Sequence, residues 1–147
     1  MTTDTAGTTG TKGQQVQMHL ELIHIPVSDV DRARDFYVQK CGWELITDHV
    51  QMGDMRIVQI NPPGSGCSIL MGRNIPEISD MPVGVQKGIH LVVRDMKEAR
   101  SSLIATGVDV GEIQDLGGVF YARFEDPDGN SWLLQQWPTD TKERVEQ

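Results

Sequence analysis

The stretch His24-Ile25-Pro26-Val27-Ser28-Asp29-Val30-Asp31-Arg32-Ala33-Arg34 decides the fold, because a second version of it starts at His90. That version reads His90-Leu91-Val92-Val93-Arg94-Asp95-Met96-Lys97-Glu98-Ala99-Arg100, with the His, Asp, Ala and Arg in register. Each copy alternates like a strand, reaches an Asp suited to cap a helix, and continues with helical spacing. A recurrence of this length indicates a duplicated supersecondary unit.

Each copy, together with the residues that follow it, predicts a module of one strand, one helix and three further strands. Module one spans residues 18–71, a linker rich in Pro and Gly spans 72–86, and module two spans 87–137. The predicted helices are Val30–Cys41 and Met96–Ala105. The predicted strands are Met18–Val27, Trp43–Val50, Met55–Asn61, Cys67–Met71, Ile89–Val93, Val108–Gln114, Val119–Glu125 and Ser131–Trp137.

Composition narrows the classes of partner. The chain has 147 residues, which suits one domain, and a net charge of −8, which disfavours nucleic acid or an anionic membrane as a partner. No apolar run is long enough to cross a membrane.

The two cysteines and the two ends of the chain complete this picture. Cys41 and Cys67 lack a C-x-x-C spacing and are interpreted as reduced thiols, so we expect a cytoplasmic protein. Residues 1–14 and the charged residues 139–147 are predicted to be disordered tails around a domain at 15–138.

Three motifs carry a resemblance to a known family. They are V-S-D-V-D-R-A-R-D-F-Y followed by C-G-W in module one, and F-E-D-P-D-G-N-S-W in module two. Together with the repeat they resemble the vicinal oxygen chelate superfamily, which includes glyoxalase I, bleomycin resistance proteins and extradiol dioxygenases. The resemblance covers roughly residues 18–137. It implies an α+β fold in which two βαβββ modules enclose a cleft, and it implies a homodimer.

The resemblance also implies where a metal would be bound. In metal-dependent members a His or Gln on the first strand and a Glu on the last strand of a module are the ligands. The matching positions here are Leu22, Ile69, Gly88 and Leu133, none of which offers a donor atom. We therefore expect no metal and no cofactor.

Two histidines lie two residues beyond the first-strand positions, and a spacing of two keeps them on the same face of a strand. His24 and His90 are therefore the candidate catalytic residues, suited to proton transfer or to binding a ligand hydroxyl. The alternative is that each is a hydrogen-bonded structural residue.

Further residues are predicted to line the ligand site by alternation along the later strands. Arg123 is a candidate anchor for a carboxylate or enolate, with a salt bridge to Glu125 or a solvated rim position as the alternative. Apolar walls with a few polar groups suit a small organic molecule. The predicted ligand-binding residues are Gln59, Tyr121, Arg123, Leu133, Gln135 and Trp137.

Three functions are compatible with these features of the sequence. The first is metal-free binding or sequestration of an organic metabolite or antibiotic-like compound. The second is a metal-independent isomerase, lyase or cyclase that uses His24 or His90 for proton transfer. The third is a metalloenzyme of the glyoxalase or dioxygenase type with relocated ligands. We favour binding, because a binding protein needs only shape and stacking, whereas an enzyme needs an acid-base constellation.

Overall fold

The computed structural model describes residues 15–138, and both predicted tails lie outside the described residues. Two four-stranded sheets follow the order predicted by the duplication, and neither closes into a barrel. Sheet one contains β1 (Leu22–His24), β2 (Glu44–Gln51), β3 (Met55–Asn61) and β4 (Ser68–Arg73), arranged β1-β4-β3-β2. Sheet two contains β5 (Ile89–Val92), β6 (Gln114–Leu116), β7 (Val119–Glu125) and β8 (Ser131–Gln136), arranged β5-β8-β7-β6.

In each sheet the first strand runs parallel to the last, and the other pairs are antiparallel. A parallel pair needs a crossover connection, which here contains the helix of the module. The prediction of two βαβββ modules is confirmed.

The helices begin where the sequence places their caps. Helix α1 (Val30–Asp35) starts after Asp29, whose side chain accepts a hydrogen bond from the Arg32 backbone N–H. Helix α2 (Met96–Ala105) starts after Asp95, which accepts from the Glu98 N–H in the same way. The predicted helix Val30–Cys41 is less regular than expected, because its second half, Phe36–Lys40, is a π-helical turn.

The predicted strand Val108–Gln114 is wrong for all but its last residue, since β6 is only Gln114–Leu116. Val108 and Val110 are buried, so their alternation records packing against the core. The backbone there gives one bond to the neighbouring strand, from Gly111 N–H to the Arg123 carbonyl. An alternation of apolar residues in the sequence therefore does not show that the backbone pairs with a neighbouring strand.

Several strand boundaries differ from the prediction. The predicted strand Met18–Val27 is shorter at both ends, because β1 starts at Leu22 and ends at His24, two residues before Pro26, which has no N–H to give to a ladder. β2, β5 and β8 differ from their predicted bounds by one residue at one or both ends. Gly72 and Arg73 belong to β4 and not to the linker. The rest of the linker contains one 3-10 turn, Ile78–Asp80.

One hydrophobic core joins the two modules. It takes one face of each sheet together with the apolar sides of both helices. At its centre Tyr37 and Trp43 stack with ring centroids 5.1 Å apart, and Trp132 meets both rings edge-on. The core covers one face of each sheet, and the opposite faces are more exposed, although Leu70 and Gln135 on those faces are buried.

The turn between β7 and β8 fastens module two to module one. Asn130 is fully buried, and its side-chain amide donates to the Pro26 carbonyl at 2.9 Å. Asp126 accepts from the Tyr37 hydroxyl at 2.8 Å, and Asp128 accepts from the Ser28 hydroxyl at 2.6 Å. These bonds fix the relative position of the two sheets. Within residues 15–138, each helix is too short or too polar to span a membrane.

Candidate functional site

The open face of sheet two holds most of the predicted site residues. His90 lies opposite Leu133 across the β5–β8 pair, and Leu133 lies opposite Arg123 across the β7–β8 pair. The next row along the sheet runs through Val92, Gln135 and Tyr121. We call this surface the open face of sheet two; it comprises His90, Val92, Tyr121, Arg123, Leu133 and Gln135.

The neighbouring residues in each strand point into the core, as the sequence predicts. Ala122 and Phe124 on β7 are buried, and so are Trp132 and Leu134 on β8. Because side chains alternate along a strand, burial of these four leaves Tyr121, Arg123, Leu133 and Gln135 on the opposite face.

A chain of contacts orders the polar groups of this face. Gln135 donates from Nε2 to the Tyr121 hydroxyl oxygen at 3.2 Å. The ring of Tyr121 meets the ring of His90 edge-on, with centroids 6.0 Å apart. Nδ1 of His90 lies 2.8 Å from the carbonyl oxygen of Gly88. Three of the predicted site residues are thus brought together.

Arg123 is paired with a carboxylate, which is the alternative left open by the sequence. Its guanidinium donates to Glu125 Oε2 at 2.6 Å, and about half of each side chain is exposed. The Glu125 charge balances the cation, so Arg123 does not present a free positive charge to a ligand.

The open face of sheet one carries the remaining predicted residues. His24 lies opposite Leu70, Leu70 opposite Gln59, and Gln59 opposite Thr47. The Gln59 amide donates weakly to Glu21 at 3.4 Å. The backbone carbonyl of His24 accepts from Gln86 at 2.8 Å. Gln59 is the counterpart of Arg123, because each lies opposite the leucine that pairs with the histidine of its sheet.

The strand pairing corrects one predicted metal-ligand position. His24 pairs with Leu70 where His90 pairs with Leu133, so the module-one counterpart of Leu133 is Leu70 and not Ile69. Ile69 is buried in the core on the other face. The turn before β4 is one residue longer than the turn before β8, which shifts the count by one.

The residues at the family's ligand positions do not fit a metal. Leu22, Leu70, Gly88 and Leu133 provide no side-chain donor. Within residues 15–138, no three His, Cys, Asp or Glu side chains are grouped closely enough to hold an ion.

Two residues of these faces were missed, and one predicted residue lies outside them. Val92 lies two residues after His90 on β5 and therefore on the same face, which the alternation of the sequence already indicates. His49 lies on the open face of sheet one, with hydrogen bonds at 3.1 Å to Thr47 and 2.9 Å to Gln51. Trp137, predicted to face inward, lies beyond the end of β8 and is half-buried.

A surface depression adjoins the open face of sheet two. It has a volume of about 650 Å³, and Tyr121, Arg123, Leu133 and Gln114 contribute to its lining. A second depression, of about 520 Å³, lies between the start of α1 and residues 78–83. The first is large enough for a small organic molecule, and three predicted site residues, Tyr121, Arg123 and Leu133, form part of its lining beside acidic residues such as Glu112 and Glu125. His90 and Val92 line a separate depression of about 550 Å³.

Large pKa shifts fall on structural groups such as Tyr37 and Cys41, and the pKa of Asp48 is shifted by ion pairing. Burial raises the pKa of Tyr37, since the phenolate would lose its hydration. Hydrogen bonds from Arg56 and Arg34 hold the pKa of Asp48 below its usual range despite partial burial. Burial raises the pKa of Cys41 to about 12. These groups are on the core side, where their shifts report packing and ion pairing.

Comparisons with known proteins agree with this architecture. A protein of Shewanella frigidimarina (strain NCIMB 400), described as uncharacterized, is 37% identical over 131 residues, which is 81% of this chain and 95% of that protein. The crystal structure of TnmS3, an antibiotic binding protein from Streptomyces sp. CB03234, superposes with a TM-score of 0.72 at 31% identity, covering 83% of this chain and 98% of that chain.

A third similar protein is a member of the Glyoxalase/bleomycin resistance protein/dioxygenase superfamily from Sphaerobacter thermophilus DSM 20745. Its crystal structure superposes with a TM-score of 0.71 at 31% identity, covering 82% of this chain and 98% of that chain. The family model described as Glyoxalase/Bleomycin resistance protein/Dioxygenase superfamily matches residues 18–134. Both the repeated fold and the sequence match thus lead to one conclusion: this chain belongs to the Glyoxalase/Bleomycin resistance protein/Dioxygenase superfamily.

Proposed function

We propose that this protein binds, and thereby sequesters, a small organic molecule on the open face of sheet two without using a metal. The observation that carries the proposal is the row His90–Leu133–Arg123, in which hydrocarbon occupies the family's metal-ligand position and polar groups flank it. An apolar centre with a few polar groups around it suits an organic ligand. The antibiotic-binding relative supports the same class of ligand.

A second candidate function is metal-independent proton transfer by His90. The edge contact with Tyr121 places a second proton-bearing group beside the imidazole. Against it, Nδ1 of His90 faces a backbone carbonyl and not a carboxylate that would stabilise an imidazolium. Binding therefore remains the preferred proposal, and multiple turnover of a bound compound would favour the enzyme.

The relocated metal site has less support. His24 and His90 belong to different sheets, and no third donor accompanies either one among the described residues. A catalytic zinc usually has three protein ligands. A homodimer and a cytoplasmic location, where the free thiols Cys41 and Cys67 would stay reduced, are part of the same proposal.

A thermal-shift screen of aromatic natural products, run with and without a chelator, tests the proposal. A ligand at 100 times its Kd stabilises the folded state by about 2.7 kcal/mol. We expect compounds that raise the melting temperature equally with and without chelator. The variant Leu133→Arg should lose this effect, because a long cation would fill the centre of the face.

The matched control is Ile104→Arg, which places the same side chain at an exposed position on α2. It should respond to the same compounds as the wild type. Stabilisation that disappears on adding chelator, or that survives in Leu133→Arg, would argue against the proposal.

A further inference from the structure

We propose that the open face of sheet two selects a neutral ligand carrying both a hydroxyl and a carbonyl group. His90 would accept a hydrogen bond from the hydroxyl, and Tyr121 would donate one to the carbonyl. The inference rests on the proposed function, because it assigns a polarity to the ligand of the same site.

The hydrogen bond of His90 fixes its tautomer. Nδ1 lies 2.8 Å from the Gly88 carbonyl oxygen, and a carbonyl oxygen can only accept. Nδ1 therefore carries the proton, and Nε2 of the neutral ring is an acceptor. Within residues 15–138 no hydrogen bond engages Nε2, so this acceptor is available to a ligand.

The hydrogen bond of Gln135 fixes the role of Tyr121. The amide Nε2 of Gln135 can only donate, so the Tyr121 oxygen accepts at 3.2 Å. This leaves the phenolic proton of Tyr121 as a donor. The edge contact between the two rings, with centroids 6.0 Å apart, places the residue that donates beside the residue that accepts.

The duplicated module lacks this pair, so the pair is not a by-product of the fold. Where module two places Tyr121 opposite Gln135, module one places Ile57 opposite Gly72. Module one retains a histidine, His24, at the position of His90. It has no side chain that can donate a hydrogen bond at the positions of Tyr121 and Gln135.

The surroundings restrict the rest of the ligand. Leu133 and Val92 adjoin the pair on the same face and offer hydrocarbon to a rigid, apolar skeleton. Arg123 is already balanced by Glu125 at 2.6 Å, so the face provides no free cation for a carboxylate. A neutral hydroxyketone satisfies both polar groups, whereas a simple ketone leaves one of them unpaired and a hydrocarbon leaves both.

The tautomer is tested first, on the full-length protein without any ligand. Long-range proton–nitrogen NMR in mildly alkaline buffer should show His90 with the proton on Nδ1 and an unprotonated Nε2. His90→Phe identifies the resonance by its loss, and His19→Gln, at an exposed position outside both sheets, is the assignment control. A proton on Nε2 would overturn the inference.

The ligand polarity is tested with three matched probes: 7-hydroxy-1-tetralone, its methyl ether, and the tetrahydronaphthol that lacks the carbonyl. We expect the hydroxyketone to bind roughly five- to tenfold more tightly than either analogue, which is the effect of one hydrogen bond at each group. His90→Phe should abolish the preference over the ether, and Tyr121→Phe the preference over the naphthol. His19→Gln should keep both preferences.

Equal affinities of the three probes, preferences that survive in both variants, or no binding by any probe at millimolar concentration would overturn the inference. The proposed function fails separately, since it requires only that some compound in the screen depends on Leu133. A compound that depends on Leu133 but lacks a hydroxyl or a carbonyl would contradict the polarity and leave the binding function intact.

Discussion

Two tyrosines place their hydroxyl groups in opposite environments. The Tyr37 hydroxyl is fully buried, donates to Asp126 at 2.8 Å and accepts from the Trp132 indole at 3.0 Å. Tyr37→Phe would leave the buried indole N–H of Trp132 without an acceptor, and it would remove one of the two hydrogen bonds to Asp126 Oδ2, the other being donated by Asn130. A buried polar group that loses its partner costs about 1–3 kcal/mol. We expect that loss in the free energy of unfolding, measured by urea denaturation.

The comparison is Tyr121→Phe, since Tyr121 is partly exposed and its hydroxyl takes part in a single hydrogen bond, from the buried Gln135 amide. Tyr121→Phe should lower the free energy of unfolding by less than Tyr37→Phe does. A change of less than about 0.5 kcal/mol for Tyr37→Phe would show that its network does not stabilise the contact between the modules.

Asp48 makes stability depend on pH. It accepts hydrogen bonds from Arg56 at 3.0 Å and Arg34 at 2.8 Å, and its pKa is lowered. A carboxyl whose pKa is lower in the folded state stabilises the protein above its unfolded pKa of about 4, and this contribution is lost as the pH falls through the folded value. Asp48→Asn should therefore destabilise by roughly 1–3 kcal/mol at pH 7, between the values for exposed and buried pairs.

The difference between wild type and Asp48→Asn should shrink as the pH falls below the unfolded pKa of about 4 and through the lower folded pKa, which unfolding curves across pH can measure. Asp54→Asn is the control, because its pair with Arg73 is exposed and should change stability less. A difference that grows on acidification would contradict the ion-pair account.

At the scale of elements, Gly72 limits how closely β3 and β4 can pair. A Cβ added there would lie 2.0 Å from the backbone oxygen of Arg56 and 2.6 Å from Ile75 Cδ1. Because a backbone atom cannot move without opening the ladder, Gly72→Ala should cost about 1–3 kcal/mol. Gly66→Ala is the control, since nothing lies within 4 Å of its added Cβ. Equal unfolding free energies for the two variants would count against this packing.

Most elements could be predicted because their signals are local. The two Asp caps, α2 and β7 follow from capping chemistry and alternation, and β7 has its predicted bounds, Val119–Glu125. Alternation failed at Val108–Gln114, because it reports which side chains are buried and not which backbones pair. Ile69 was misplaced because a count across a turn assumes equal turn lengths.

The candidate site was predictable in part for the same reason. Alternation put Tyr121, Arg123 and Leu133 on one face, and the strand pairing agrees. The contacts of β5 with β7 and β8 join residues more than 30 positions apart, such as His90 with Tyr121 and with Leu133, and no local signal specifies them. The pairing of Arg123 with Glu125 stayed open in the sequence, since two residues on one strand face can pair with each other or with a ligand.

At the scale of the whole molecule, the outer strand of sheet one suggests a contact with a second copy. β2 is an eight-residue edge strand, and it exposes Leu45, Ile46 and Val50 by 42%, 48% and 58%, followed by Met52 at 92%. An exposed edge of this kind tends to be covered by another chain. We expect a homodimer by light scattering at micromolar concentration, with Val50→Lys shifting the population towards monomer. A wild-type monomer at that concentration would contradict the expectation.

The central claim is that sheet two binds an organic molecule on its open face without a metal. Backbone and side-chain NMR of the full chain, titrated with the best compound from the thermal screen in the presence of chelator, tests it most directly. We predict that the largest shift changes occur at His90, Tyr121, Leu133 and Gln135. Changes centred on the depression between α1 and residues 78–83, or changes that appear only after a divalent metal is added, would contradict the account.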